Sequence, residues 1–460
     1  MENSQILTTL KIKHFRSFYE EQSIDFAESN GKPGSGLSII VGPNNSGKTV
    51  LLECLLYSTW VNEINFEKSE RHAPELCKIT VQSKIGTRIL TNSGNGSLIK
   101  PYTDGEFQVL FEAIPSRRYW HPNASNSMEA SNLSYTSSNN PIRDSSPLEI
   151  AGFLRSINKN TDQKARFDKY LKLVFPHFTS WDIEYDNNIG TYVEYRTASG
   201  ATHKSSLFGD GIISVFRICA HLVADNKTVL IIDEPELSLH PTAQKSLAKI
   251  ISEASKDKQI IVCTHSPYFA NWIDFLNGAR FIRLNKPEDK KCTVSFLDNK
   301  KSYSEFIKNN YDNWQKPQLL DHVAKEILFA EKILFVEGQE DVGLIKKWAD
   351  ENLGHPNFEI FGYGAGGFGN IDYCLELAKD LGLHKVAALY DNGGNSFQKF
   401  TANKTKFSSF YFEILPTDDI RDKFNDGKQK IGCFNGSGNL KPEYHERFSN
   451  IMENFVQYFA

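Results

Sequence analysis

Apolar residues recur along this chain in three patterns, and each predicts a kind of element. Short unbroken apolar runs at 37–41, 229–232, 260–263, 333–336 and 386–389 read as strands buried on both faces. Alternation at period two, as in Thr9-Leu10-Lys11-Ile12-Lys13 and in 77–90, 181–185 and 192–195, predicts half-exposed antiparallel strands. Helical spacing joins Leu148, Ile150, Phe153, Leu154 and Ile157, then Phe167, Tyr170, Leu171, Val174 and Phe175. It predicts a helical insertion over 147–177, either an exposed arm or helices packed on their own domain. A further apolar helix is expected over 212–224. Residues 28–36 are rich in Gly, Pro and Ser, and 121–146 in Asn and Ser, so both read as loops. The polar stretch 296–318 reads as a connection, with helical spacing resuming at 319–330. Beyond it, strands alternate with helices, which predicts a small parallel α/β unit. The expected division is therefore 1–315 and 316–460.

Composition narrows the class without naming it. The chain has 460 residues, with 40% hydrophobic and 23% charged side chains, as an ordinary globular protein does. Its 52 basic and 56 acidic residues nearly balance, so any surface for DNA must be a local patch. Seven scattered cysteines without a C-x-x-C pair suit reduced thiols and exclude a disulfide frame or zinc knuckle. The polar start lacks a signal-peptide pattern and no apolar run reaches membrane-spanning length, so a cytoplasmic protein with no membrane partner is expected.

Chemistry concentrates at the ends of the buried runs. The run at 37–41 leads into Gly42-Pro43-Asn44-Asn45-Ser46-Gly47-Lys48-Thr49, which fits G-x-x-x-x-G-K-[ST] between a strand and a helix. Gly42 and Gly47 let the backbone N–H groups of Pro43-flanked Asn44, Asn45 and Ser46 curl around phosphates. Lys48 reaches the β- and γ-phosphates, and the Thr49 hydroxyl suits Mg²⁺. ATP is the expected ligand. The run at 229–232 ends in Asp233-Glu234, expected to hold the Mg²⁺ shell and to polarise the attacking water. The run at 260–263 ends in Thr264-His265, where the imidazole is placed to sense the γ-phosphate. Ser206, Gly209 and Asp210, in Ser205-Ser206-Leu207-Phe208-Gly209-Asp210-Gly211, open the helix expected at 212–224 and offer its first N–H groups to an anion.

In the second half, Glu337 and Asp391 end two buried strands and Asp341 follows one helical turn after Glu337. Carboxylates gathered at one edge repel unless a cation neutralises them, and Mg²⁺ or Mn²⁺ suits oxygen ligands. Asp418 or Asp419, after the run at 410–415, is a further candidate ligand, and Lys441 a candidate for stabilising phosphate charge. Gly362-Tyr363-Gly364-Ala365-Gly366-Gly367 formally matches G-x-G-x-x-G, but its short preceding strand and acidic neighbours favour a tight glycine turn over dinucleotide binding.

The first half, about 7–290, resembles the ATP-binding-cassette ATPases of the structural-maintenance-of-chromosomes and recombination-repair type, with Glu234-Pro235-Glu236-Leu237-Ser238-Leu239-His240-Pro241 as E-P-E-x-x-L-H-P. It departs from them at Ser206-Leu207-Phe208-Gly209-Asp210, which is not L-S-G-G-Q. The second half resembles a Toprim domain: Glu337-Gly338-Gln339-Glu340-Asp341 is E-G-x-x-D, while Asp391-Asn392-Gly393 keeps only the first acid of D-x-D. The pair resembles the overcoming-lysogenization-defect (OLD) nucleases. The fold so implied is α/β: an ABC-type P-loop ATPase domain with a helical insertion, then a smaller Toprim-like parallel α/β domain. The resemblance implies a metal-dependent DNA endonuclease controlled by ATP, a homo-oligomer (dimer or higher) joined through its ATPase heads. It also implies a role in antiphage defence beside a partner protein or nucleic acid. Two other readings stay open: an ATPase sensor whose Toprim domain only binds, and a recombination-type ATPase.

Overall fold

The computed structural model describes residues 5–59, 64–65, 76–92, 98–116, 150–186, 190–205, 208–225, 228–286, 291–299, 301–313, 322–354, 356–425 and 428–460. The loop expected at 121–146 and Ser206 lie outside them. The chain divides into two compact units, 1–294 and 295–460, so the partition comes earlier than 315/316. The reason is a helix, Ser302–Asn313, where the sequence pattern reads a polar connection. Its apolar stripe is narrow, with Tyr303 and Ile307 buried among polar neighbours. The stripe packs on helix Phe368–Asp380: Phe306 stacks on Tyr373 at 4.4 Å, and the Tyr303 hydroxyl donates to Asp380 at 2.9 Å.

The first unit is layered. A six-stranded sheet has Leu37–Val41 between Arg280–Asn285 and Ile260–Cys263, followed by Val229–Asp233 and Phe111–Ile114. Neighbours among these five strands are parallel, and all five residues of the strands at 37–41 and 229–233 are buried. That burial explains runs with no alternation. A second six-stranded sheet, entirely antiparallel, contains Leu7–Lys13, Gln22–Asp25, Lys78–Ser83 and Gly86–Asn92. Helix Lys48–Tyr57 lies in the core with both sheets: Leu51, Leu52, Leu55 and Leu56 pack in one cluster with Leu10, Ile12, Val81, Ile231 and Ile261. A helix buried on several sides carries apolar residues nearly all round, as this one does.

The insertion consists of helices Ile150–Lys159 and Thr161–Val174. It is packed on its own domain. Phe167 meets Phe216 of helix Asp210–Val223 at 5.7 Å and Trp181 of strand Phe178–Asp186 at 5.2 Å, both edge-to-face. Asn160 caps the second helix by accepting from the backbone of Asp162 and Gln163.

In the second unit, four parallel strands run in the order Glu359–Ile360, Lys332–Phe335, Lys385–Tyr390, Tyr411–Ile414. The chain order reverses between the first and third of these strands in sequence, and the crevice at their carboxyl ends is where open α/β sheets bind ligands. The C-terminal helix His445–Phe459 seals one side with Phe448, Met452, Phe455 and Phe459, in one core with Trp348 and Phe434. All seven cysteines are buried free thiols. Among the described residues no helix is long and apolar enough to cross a membrane.

Phe167 distinguishes a packed insertion from a free arm. Phe167→Ala is expected to cost about 3–5 kcal/mol, the range for a large-to-small change in a core, read as a lower thermal midpoint of the first unit. A near-neutral effect would return the insertion to the surface.

Candidate active sites

The phosphate loop leaves the central strand through two glycines with positive φ, Gly42 at 147° and Gly47 at 104°. A Cβ on Gly42 would stand 2.4 Å from the Leu284 carbonyl, and one on Gly47 would stand 2.9 Å from Ser17 Oγ. Lys48 is buried and its ammonium donates to the carbonyls of Gly42 and Pro43, each at 2.9 Å, so it spans the mouth of its own loop. Burial pulls its pKa down, while the nearby acids Glu234, Asp233 and Glu236 oppose that. Among the described residues, Ser46 Oγ is buried within the loop with no hydrogen-bond partner. A loop of N–H donors, an orphaned hydroxyl and a buried ammonium together fit a nucleotide's phosphates.

The strand bearing His265 lies between the phosphate-loop strand and the acidic strand, which brings the three motifs together. The Glu234 backbone is left-handed (φ 47°), and its N–H donates to the Cys263 carbonyl at 2.8 Å. His265 Nε2 is 3.8 Å from Glu234 Oε1. Burial and then Lys48 lower the His265 pKa, and Glu234 opposes them. Glu236, which sequence reasoning gave no role, joins the two strand ends. Its carboxylate accepts the Thr264 hydroxyl at 2.8 Å and the His265 backbone N–H at 2.6 Å. Further along the E-P-E-x-x-L-H-P run, His240 caps helix Pro241–Ala254 by accepting from Thr242 N. At the other anion candidate, Gly209 begins helix Asp210–Val223 with no side-chain cap, and Gly209 and Asp210 are exposed. Ser205 is buried and accepts from Val193 N, so it belongs to the fold.

In the second unit, Glu337 and Asp391 meet at the switch point. Asp391 N–H donates to Glu337 Oε1 at 2.9 Å, and the Ser396 hydroxyl donates to the same oxygen. Asp341 accepts from Gly338 N at 2.6 Å, capping helix Gln339–Asn352. The glycine turn braces this corner. A Cβ on Gly364 would meet Gly338 at 2.6 Å, and Gly367 N donates to the Glu337 carbonyl at 2.7 Å, so the turn serves backbone packing. Of the two later acids, Asp418 is exposed and Asp419 buried. Lys441 is placed against Asp422, with Nζ 2.6 Å from Oδ1. Burial, then the charges of Glu337 and Asp419, push Asp341 up to about 7. Burial, then Asp341, Glu337 and Asp419, push Asp391 up to about 9. Among the described residues no group of three or more His, Cys, Asp or Glu is gathered so as to hold a metal ion outright. The donor chemistry nevertheless fits a hard cation: only carboxylate oxygens, each raising its neighbours' proton affinity.

A family model described as an AAA domain, with the AbiEii toxin of type IV toxin–antitoxin systems, matches residues 87–271. Another, the TOPRIM domain of overcoming lysogenization defect protein-like proteins, matches residues 328–392. One stretch of the chain thus matches an AAA domain and a later one an OLD-like TOPRIM domain. Endonuclease GajA of Bacillus cereus (strain VD045) is 27% identical over 246 residues, 53% of this chain and 37% of that protein. The OLD nuclease of Thermus scotoductus is 34% identical over 134 residues, 28% of this chain and 24% of that protein. The Old nuclease of Escherichia phage P2 is 28% identical over 217 residues, 43% of this chain and 35% of that protein. The chain therefore matches 37% of the first relative's length and less of the other two.

Sequence reasoning missed Glu236 and Ser396. Glu236 had a signal, an acid one residue past Pro235 in a run already singled out; Ser396 had none, because only the fold brings its helix to Glu337.

Two outcomes follow from this geometry. Gly47→Ala is expected to weaken ATP binding by about fivefold to a hundredfold, since a left-handed non-glycine backbone costs of order 1–3 kcal/mol; titration with a fluorescent ATP analogue reads it. For the Toprim unit, Asp341 and Asp391 have raised folded-state pKa values, so their contribution favours folding at low pH and is lost as pH rises through about 7 and about 9. Melting of this unit is expected to fall over that range, and Mn²⁺ to restore it more at pH 8 than at pH 5. Equal rescue at both pH values would count against a cation among these acids.

Proposed function

We propose that this protein is an ATP-hydrolysing, divalent-metal-dependent DNA endonuclease of OLD type, acting in the cytoplasm in antiphage defence. The observation that carries the nuclease half is the meeting of Glu337 and Asp391 at the switch point of the Toprim sheet, joined by the Asp391 N–H. In the ATPase half, Lys48 exchanges the carbonyls of Gly42 and Pro43 for the β- and γ-phosphates. Thr49 and Asp233 would hold Mg²⁺, Glu234 would orient and polarise the attacking water, and His265 would face the γ-phosphate. Glu236 keeps the His265 backbone in place from behind. Gly209 and Asp210 present a bare helix start to the nucleotide of a second copy, so ATP draws two heads together.

At the Toprim edge, Glu337, Asp341 and Asp391 would hold Mg²⁺ or Mn²⁺. When bound, such an ion lowers the pKa of its water and offsets charge on the scissile phosphate. The chain's own part is to fix Glu337 through Ser396 and Asp391 N–H, and Asp341 through Gly338 N–H. A second reading, a sensor whose Toprim unit binds without cutting, is favoured by neutral Asn392 beside Asp391 and by the lack of a ready-made metal group among the described residues.

Plasmid DNA incubated with Mg²⁺ or Mn²⁺, with and without ATP, separates the two. Glu337→Ala is expected to abolish nicking and leave ATP turnover within about twofold, because each site is built within its own unit. Glu234→Gln should bind ATP yet turn it over at least about a hundredfold more slowly. A wild type that never cuts with either metal supports the sensor; Glu337→Ala cutting like wild type places the chemistry elsewhere.

A further inference from the structure

The antiparallel sheet of the first unit has an outer face whose charges neither site uses. Along strand Leu7–Lys13, Leu10 and Ile12 are fully buried, so Thr9, Lys11 and Lys13 point to the other face. Strand Lys78–Ser83 repeats the pattern, with Ile79 and Val81 buried and Lys78 exposed. The register sets Lys13 directly opposite Lys78, and Lys11 opposite Thr80. Residues so placed have Cβ atoms about 5 Å apart, and like charges there are destabilising. Lys84, in the turn after Ser83, is answered by Glu28 at 2.6 Å. Among the described residues no acid answers Lys11, Lys13 or Lys78.

The acids of this face stand apart from the lysines. Asp25 and Asp104 lie at the two sides of one cross-strand row, through Thr9, Gln82 and Thr87. That row is about 7 Å along the strand from Lys11 and about 14 Å from Lys13. The rows of Lys11 and Lys13 carry Ser23, Thr80, Ile89 and Thr91 instead. One end of the face is therefore cationic, although the whole chain is slightly acidic, at −4. Six strands make a face about 24 Å across, and the major groove of B-DNA is about 12 Å wide, so the sheet can lie only on the backbone. Lysine suits that place: its ammonium is a point charge for phosphate, without the fork that reads base edges.

We propose that Lys11, Lys13 and Lys78 form a sequence-independent contact for the phosphate backbone of double-stranded DNA on the outer sheet of the first unit. Such a contact rests on the DNA substrate proposed above and goes beyond it in naming the surface and its residues. Opposed ammonium groups that cost stability in the free chain become favourable once phosphates lie against them, and their counterions are released. The three lysines hold the duplex and take no part in cutting it.

Fluorescence anisotropy tests this, with two unrelated labelled duplexes titrated with the full chain in EDTA, without nucleotide, at rising KCl. Wild type should bind both sequences alike. The triple variant Lys11→Gln, Lys13→Gln, Lys78→Gln should bind both at least about a hundredfold more weakly at about 0.1 M salt. Its plot of log affinity against log salt should be shallower by about 2–3, near 0.9 per lost contact. Lys→Arg at the same three positions should keep the wild-type slope, and so should Lys84→Gln, whose lysine is already held by Glu28. Melting of the free protein guards against misfolding: Lys13→Gln alone relieves the opposed pair, so it should melt no lower than wild type while its slope falls by about 1. A folded triple variant with wild-type affinity and slope overturns the proposal. So does a wild type that binds no duplex at low salt, or an equal loss in Lys84→Gln. Lysine-dependent binding of polyglutamate or phosphatidylglycerol vesicles in place of duplex overturns it too. Plasmid nicking with Mn²⁺ keeps the readings apart: lysine-dependent duplex binding without nicking sinks the nuclease and spares this surface, and nicking by a triple variant of unchanged DNA affinity does the reverse.

Discussion

A carboxylate at the carboxyl end of a buried parallel strand costs free energy unless an N–H group or a cation meets it. Both halves of this protein are organised around that constraint. In the ATPase head, Asp233, Glu234 and Glu236 crowd beside buried Lys48, and the Glu236 carboxylate is met by the His265 N–H and the Thr264 hydroxyl. In the Toprim unit, Glu337 is met by the Asp391 N–H and Ser396, Asp341 by the Gly338 N–H, and Asp419 by two lysines.

The two halves resolve the constraint differently. The head keeps one ammonium at the mouth of a loop, ready to move from carbonyl oxygens to phosphate. Such an exchange needs no rebuilding of the core, because Lys48 already points along the loop axis between Gly42 and Pro43. The Toprim edge keeps its ammonium groups on a hairpin, against an acid that lies deeper than any other in the cluster. There the cations belong to the architecture.

Glycine serves the same end in both units. Gly47 lets helix Lys48–Tyr57 start where its N–H groups face a ligand, and Gly364 lets the turn after strand Glu359–Ile360 press on Gly338 and support Glu337 from behind. The insertion adds rigidity: Phe167 locks it to the helix that begins at Asp210, so the surface offered by Gly209 and Asp210 is backed by a packed core.

The sequence by itself determined the buried strands, the phosphate loop, the acid-tipped strand ends and the parallel character of the second unit's sheet. Each of these is a local pattern: apolar runs without alternation, glycines at fixed spacing, acids directly after β-runs. It did not determine the helix Ser302–Asn313, whose narrow apolar stripe packs on helix Phe368–Asp380. It left the insertion undecided between arm and core, because amphipathic spacing reports that a face is buried and not against what. The placements of Glu236 and Ser396 were decided by tertiary structure alone. Their partners are distant in sequence or lie on a different strand, and a hydrogen bond or charge pair formed across a sheet leaves no periodicity in the chain that makes it.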